Sequence, residues 1–226
     1  MSGAPQGYAG APLIGVLIGE LLRRGHRVSA FTTDSSLPPE AGVRRIGGSA
    51  FDLYLCPACP RAWRVNGSYP GRAVDCFARE RAVLTGVMVR AAPDLIHAHW
   101  TYEFALAALD TGLPCLVTCH DDPRVVLRHT RSPYRAIRYF MARRVFTRAH
   151  HFTTVSSYMA DALARSAPGI PVVPNPVADY ALSKGWELHG SPTMAWDPLR
   201  GVMRCGQAVT KEIATPYHPD MKLGEQ

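Results

Sequence analysis

From residue 26 to residue 177 the chain alternates short apolar runs with stretches of helical period, and that alternation limits its architecture more than any other feature. HRVSAFTT (26–33), FDLYL (51–55), DLIHAHW (94–100), LPCLVTCH (113–120), HFTTVS (151–156) and IPVVPNPV (170–177) read as strands, with VRRI (43–46) as a shorter one. Between them, residues 72–91, EFALAALDTG (103–112), SPYRAIRYFMARRVFTRAH (132–150) and SYMADALARSAPG (157–169) read as helices. A further helix precedes them: APLIGVLIGELLRRG (11–25) has apolar side chains at 13, 14, 17, 18, 21 and 22, with Pro12 at its start and Gly25 past its end. Parallel βαβ units follow from this order, and with them a doubly wound α/β sheet with helices on both faces. Such a sheet normally opens on a central strand. Here a glycine-rich segment, SGAPQGYAG, stands directly before the first helix, so the sheet is expected to lack its first strand.

Doubly wound sheets bind ligands beyond the carboxyl ends of their strands. Three apolar runs in this chain end on polar side chains: His99, His120 and Ser156. PCLVTCHDDP (114–123) is the sharpest case, since it stops abruptly in His120, Asp121 and Asp122. An imidazole titrates near neutrality and exchanges hydrogen bonds with a sugar hydroxyl or a phosphate, and Asp121 or Asp122 could orient it or hold a ligand hydroxyl. A structural histidine, satisfied by its neighbours, is the competing reading. His97 and His99 are two apart on one strand and so share a face, but two imidazoles without nearby carboxylates do not make a metal site. Gly7 and Gly10 let backbone approach an anion at a helix start, or else belong to a flexible tail. Their spacing is not the G-x-G-x-x-G of a dinucleotide site.

Composition narrows the choices. The formal net charge is +7, and eight arginines fall between Arg124 and Arg148, with no acid from 123 to 160. Such a stretch either attracts phosphates, including those of an anionic membrane, or forms a solvated helix face. Nucleic acid is not an expected partner, because no aromatic-basic platform accompanies the charge. No apolar run approaches the length of a membrane span, and Met1 is not followed by the pattern of a secretory signal. The expected location is therefore cytoplasmic, with peripheral contact at the inner face of the membrane as an option. Cys56 and Cys59 form a lone C-x-x-C with a proline after each cysteine, which reads as a loop with free thiols and not a zinc site. The segment from Cys56 to Gly71 is long and irregular for a compact domain, a hint of function or mobility.

In order along the chain, a glycine loop, RGHRV (24–28), PDLIHAH (93–99), TCHD (118–121), a long basic helix, VS (155–156) and PNPV (174–177) together resemble the N-terminal domain of family 4 glycosyltransferases of the GT-B fold, over about residues 7–177. The resemblance implies a Rossmann-like domain, residues 1–177, followed by a hinge and an unassigned, irregular tail, 178–226. It implies a retaining transferase that moves a sugar from a nucleotide-sugar donor to a hydroxyl of a glycan or lipid acceptor, without a cofactor or a metal. By the same resemblance His120 faces the transferred sugar as the catalytic candidate. Gly7, Gly10, His99, Asp121, Ser156 and Asn175 become candidate substrate-binding residues. The donor-gripping C-terminal domain, with its E-x7-E glutamates, has no counterpart: eight residues after Glu212 stands Asp220. The chain is thus expected to be a fragment, inactive in transfer by itself. The alternative is a non-catalytic module that binds glycan or anionic membrane.

Overall fold

The computed structural model describes residues 12–176, 194–197 and 202–205. Gly7, Gly10 and the segment that would carry a first strand lie outside the described residues. Two compact units divide at Pro176 and Val177.

The first unit opens with helix α1 (Pro12–Arg23) and strand β1 (Val28–Asp34), joined through Gly25, whose φ of +84° an L side chain rarely adopts. Strands β2 (Arg44–Gly47) and β3 (Phe51–Pro57) follow. β3 lies in the middle of a three-stranded sheet, parallel to β1 and antiparallel to β2, with Val28 opposite Phe51 and Arg45 opposite Tyr54. Helix α2 (Ala78–Ala91), strand β4 (Ile96–His99), helix α3 (Glu103–Asp110) and strand β5 (Cys115–Cys119) come next. Helices α4 (Pro123–Thr130) and α5 (Pro133–Arg148), strand β6 (Phe152–Thr154) and helix α6 (Ser157–Leu163) complete the unit. β4, β5 and β6 form a second three-stranded sheet, parallel throughout, with β5 central.

The α/β architecture and parallel pairing are those the alternation predicts, but the strands make two sheets among the described residues. β1 and β4 are the two edges on which a doubly wound order would set its first strand. One core nevertheless runs beneath both sheets. Phe31 and Tyr54 of the first, Ile96, Ala98 and Val117 of the second, and Leu84, Val87, Leu106 and Val145 of α2, α3 and α5 belong to it. A smaller cluster holds Cys119 against Met159, Leu163, Ala167 and Ile170.

Local chemistry explains where the elements differ from the sequence reading. α2 begins at Ala78 and not at 72, because Cys76 and Phe77 have φ of 54° and 60°, outside the helical range. α4 was not anticipated: Asp122 caps it by accepting the Arg124 N–H at 2.8 Å, and Pro123 occupies its first turn. Of the run 170–177, the described residues contribute one bridge, Thr154 to Val172, since Pro171, Pro174 and Pro176 have no N–H to give a ladder. In the second unit β7 (Met194–Asp197) pairs antiparallel with β8 (Val202–Cys205), a hairpin within a stretch expected to be irregular.

Candidate functional site

Strand register brings the imidazoles together. β4 and β5 run parallel with His99 opposite Thr118, so His120, two residues further on, leaves the sheet beside the end of β4. His99 Nδ1 lies 2.9 Å from His120 Nε2. A hydrogen bond between two imidazoles needs one nitrogen to donate and the other to accept, so the pair is bonded only when at least one ring is neutral. Burial holds both rings in that state, pulling His99 down to about 3 and His120 to about 4, with neighbouring imidazoles adding to the effect. His97, on the same face, lies against His99 with centroids 4.2 Å apart and the rings tilted by 32°, and its Nε2 lies 2.7 Å from Thr118 Oγ1. Thr118 Oγ1 in turn lies 2.7 Å from Thr153 Oγ1, so a polar row crosses all three strands.

Trp100 closes one side of the pair. Its ring centroid is 4.6 Å from that of His120, and its φ of +65° is unusual for a bulky side chain. Backbone held this way costs on the order of 1–3 kcal/mol and is found preferentially at functional sites. The Trp100 N–H donates to the Thr118 carbonyl at 3.0 Å, which fixes the turn directly after β4.

The two aspartates divide their work. Asp122 is buried and caps α4, while Arg124 ties that carboxylate to the Ala162 carbonyl of α6. Its role is structural. Asp121 turns the other way and accepts the Tyr102 hydroxyl at 2.9 Å, and no hydrogen bond reaches its second oxygen. Burial raises the Asp121 carboxyl above its ordinary range, against the lowering effects of the Tyr102 hydrogen bond and of Arg138. Arg138 stacks on Tyr102 with its guanidinium carbon 3.9 Å from the ring centroid, and it pairs with Glu103 at 2.9 Å.

Ser156 follows β6, whose Thr154 is opposite Cys119, so it leaves the sheet on the same edge as His120. Its hydroxyl accepts the Met159 N–H at 3.3 Å and caps α6. Asn175 is exposed, three residues beyond the Val172 bridge and outside this hydrogen-bonded group. Among the described residues no group of three or more His, Cys, Asp or Glu side chains is arranged to hold a metal ion.

A search of protein families places the model named Glycosyltransferase Family 4 on residues 14–179, most of the chain. The chain belongs to glycosyltransferase family 4. A second family model, a domain of unknown function (DUF1737), matches residues 179–212. Comparison with curated proteins finds no match. The family 4 match takes in β1 to β6, the three histidines, Asp121, Ser156 and Asn175 together.

Of the residues picked from sequence, the structure joins His99 and His120 directly and sets Asp121 and Ser156 on the same strand ends. Trp100, Tyr102 and Arg138 were missed. An aromatic immediately after a strand-terminal histidine was a usable signal for Trp100. Arg138 comes from α5, 36 residues after Tyr102, and nothing local pairs them. Of the eight arginines from 124 to 148, Arg124, Arg138 and Arg148 are paired with Asp122, Glu103 and Asp110. No described helix is long and apolar enough to cross a membrane.

Proposed function

We propose that this family 4 domain supplies the acceptor-side half of a sugar-transfer site, working with a nucleotide-sugar donor held by a second, donor-binding domain. The observation that carries the reading is the neutral His99–His120 pair, packed under Trp100 at the adjoining ends of β4 and β5. A neutral imidazole exchanges hydrogen bonds with a sugar hydroxyl without placing a cation beside the anomeric centre. With Nε2 of His120 engaged by His99, its Nδ1 is the nitrogen left for a ligand, and the tautomer is set by which ring donates. Trp100 offers an apolar ring face, and Asp121 a carboxylate oriented by Tyr102.

Transfer in such enzymes depends on positioning and on stabilising the charge that develops on the departing diphosphate. No arginine or lysine of the described site is placed for that second task, since Arg138 and Arg124 are committed to Glu103, Tyr102 and Asp122. The 226-residue chain alone is therefore expected to bind sugar weakly and to transfer none. Titration of the 15N-labelled chain with nucleotide-sugars and free hexoses tests this. Shifts should concentrate at Trp100, His120 and Asp121 and vanish in His120→Asn. Sugar transfer by the pure chain, or shifts confined to other surfaces, would overturn the reading.

A further inference from the structure

The segment between β3 and α2, residues 58–77, is long, yet it is built and not loose. Asn66 is 6% exposed and organises it: its Oδ1 accepts the Arg61 N–H at 2.9 Å, and its Nδ2 donates to the carbonyls of Arg61, Arg64 and Pro70 at 3.1–3.2 Å. Asn66 and Tyr69 also exchange both backbone hydrogen bonds. Gly71 is pressed so closely on the neighbouring backbone that a Cβ there would lie 2.4 Å from the Ala62 carbonyl oxygen. Beneath the loop the buried Glu80 accepts the Cys59 N–H at 2.8 Å, and Arg72 donates to the Cys59 and Pro60 carbonyls.

All of this interior structure holds outward a tip that the packing does not use. Trp63 is 46% exposed, Val65 66%, and Arg64 stands exposed between them, with Val74 at 59% further along the loop. From residue 53 to 74 there are three arginines and no acid. Neither the cavity lined by Val43, Arg45, Tyr54, Val87 and Arg90 nor the one lined by Asp122, Arg124, Tyr139 and Arg143 includes the tip residues. Tryptophan at the headgroup level, a valine below it and arginine toward phosphate is the chemistry of a bilayer interface.

We propose that the Trp63–Arg64–Val65 tip docks this domain on an anionic lipid bilayer. A loop already ordered loses little conformational freedom on contact, which favours docking through it. The foot of the loop also reaches the candidate site: Phe77 packs edge-on against Tyr134 at 6.0 Å, and Arg138 lies 5.7 Å from the Phe77 ring and 3.9 Å from that of Tyr102, the Asp121 partner. The foot of the docking loop thus belongs to the packing around the candidate site, and on the transfer reading above the acceptor is lipid-borne. The docking itself does not depend on that reading.

Co-sedimentation of the full chain with vesicles of phosphatidylcholine, alone or with about one-third phosphatidylglycerol, tests the proposal. The partition coefficient should be about tenfold higher on the anionic vesicles and fall with added salt. Trp63→Ser with Val65→Ser should lower it about tenfold, Arg64→Glu several-fold, while Trp63→Phe retains it. Arg143→Glu with Arg144→Glu, exposed on α5 and outside the loop 58–77, should leave it within about twofold. Unchanged partition in the Trp63/Val65 variant with wild-type circular dichroism would overturn the proposal. So would absence of vesicle binding at low salt, or loss of binding only in the α5 variant. Failure here leaves the sugar titration untouched, and failure of that titration leaves the vesicle result standing.

Discussion

Acidification should unfold this domain through its central histidines. His99 and His120 are held neutral by burial, with values of about 3 and about 4 against an ordinary 6.5. A base whose folded value is depressed binds fewer protons folded than unfolded, so its contribution to stability is complete above pH 6.5 and shrinks as pH falls toward the folded value. For one imidazole moved from 6.5 to about 4, the loss between pH 7.5 and 5.0 is about 2 kcal/mol. The two rings share a hydrogen bond and titrate as a pair, so the joint loss is about 2–4 kcal/mol and not a simple sum. Against a typical total of about 5–15 kcal/mol that is a large fraction. At roughly 2–4 °C per kcal/mol for a domain of this size, the melting temperature should drop by roughly 5–15 °C. Urea denaturation at pH 7.5, 6.5, 5.5 and 5.0 measures the slope, and His120→Asn should flatten it while lowering stability at pH 7.5. A wild-type stability that is level across that range, or a variant that keeps the full slope, would refute the argument that burial holds the pair neutral.

Other expectations rest on single contacts. Tyr102→Phe leaves the buried Asp121 carboxylate without its donor and should cost about 1–3 kcal/mol at pH 7. Because burial has already raised the Asp121 value, that penalty should shrink as the pH is lowered through that raised folded value and the carboxyl becomes protonated; a penalty constant with pH in denaturation curves would count against it. Asn66→Ala removes a buried amide whose oxygen accepts one N–H and whose two N–H groups are shared among three carbonyls, and should cost about 2–4 kcal/mol, seen as a lower denaturation midpoint. Gly71→Ala should be comparably damaging, because the added methyl meets backbone that cannot swing aside. Asp122→Ala should cost about 1 kcal/mol as a lost cap, and more for the freed Arg124, detectable as faster amide exchange in α4.

Local pattern made much of this chain legible. The order of strands and helices, the parallel pairing and the placing of His99, His120 and Ser156 at strand ends all follow from where apolar runs begin and stop, because burial and backbone hydrogen bonding act over a few neighbouring residues. Where two local signals compete, the sequence leaves the choice open: Asp121 and Asp122 both stand beside His120 as possible ligand groups, and only the fold shows that Asp122, with Pro123, starts a helix. The loop 58–77 could be seen to be long, but not to be rigid, since its order depends on Asn66 reaching carbonyls up to five residues away and on Glu80 arriving from the next helix.

By itself, then, the amino-acid order determined an α/β domain with its polar groups gathered at the carboxyl ends of parallel strands. Tertiary structure decided which of those groups meet. His120 is bonded to His99 because β4 and β5 pair in a particular register, and Asp121 is oriented by Tyr102 because α5 brings Arg138 across to stack on that ring. Those contacts span 21, 19 and 36 positions, and their partners are selected by packing of whole elements, which no short stretch of sequence contains.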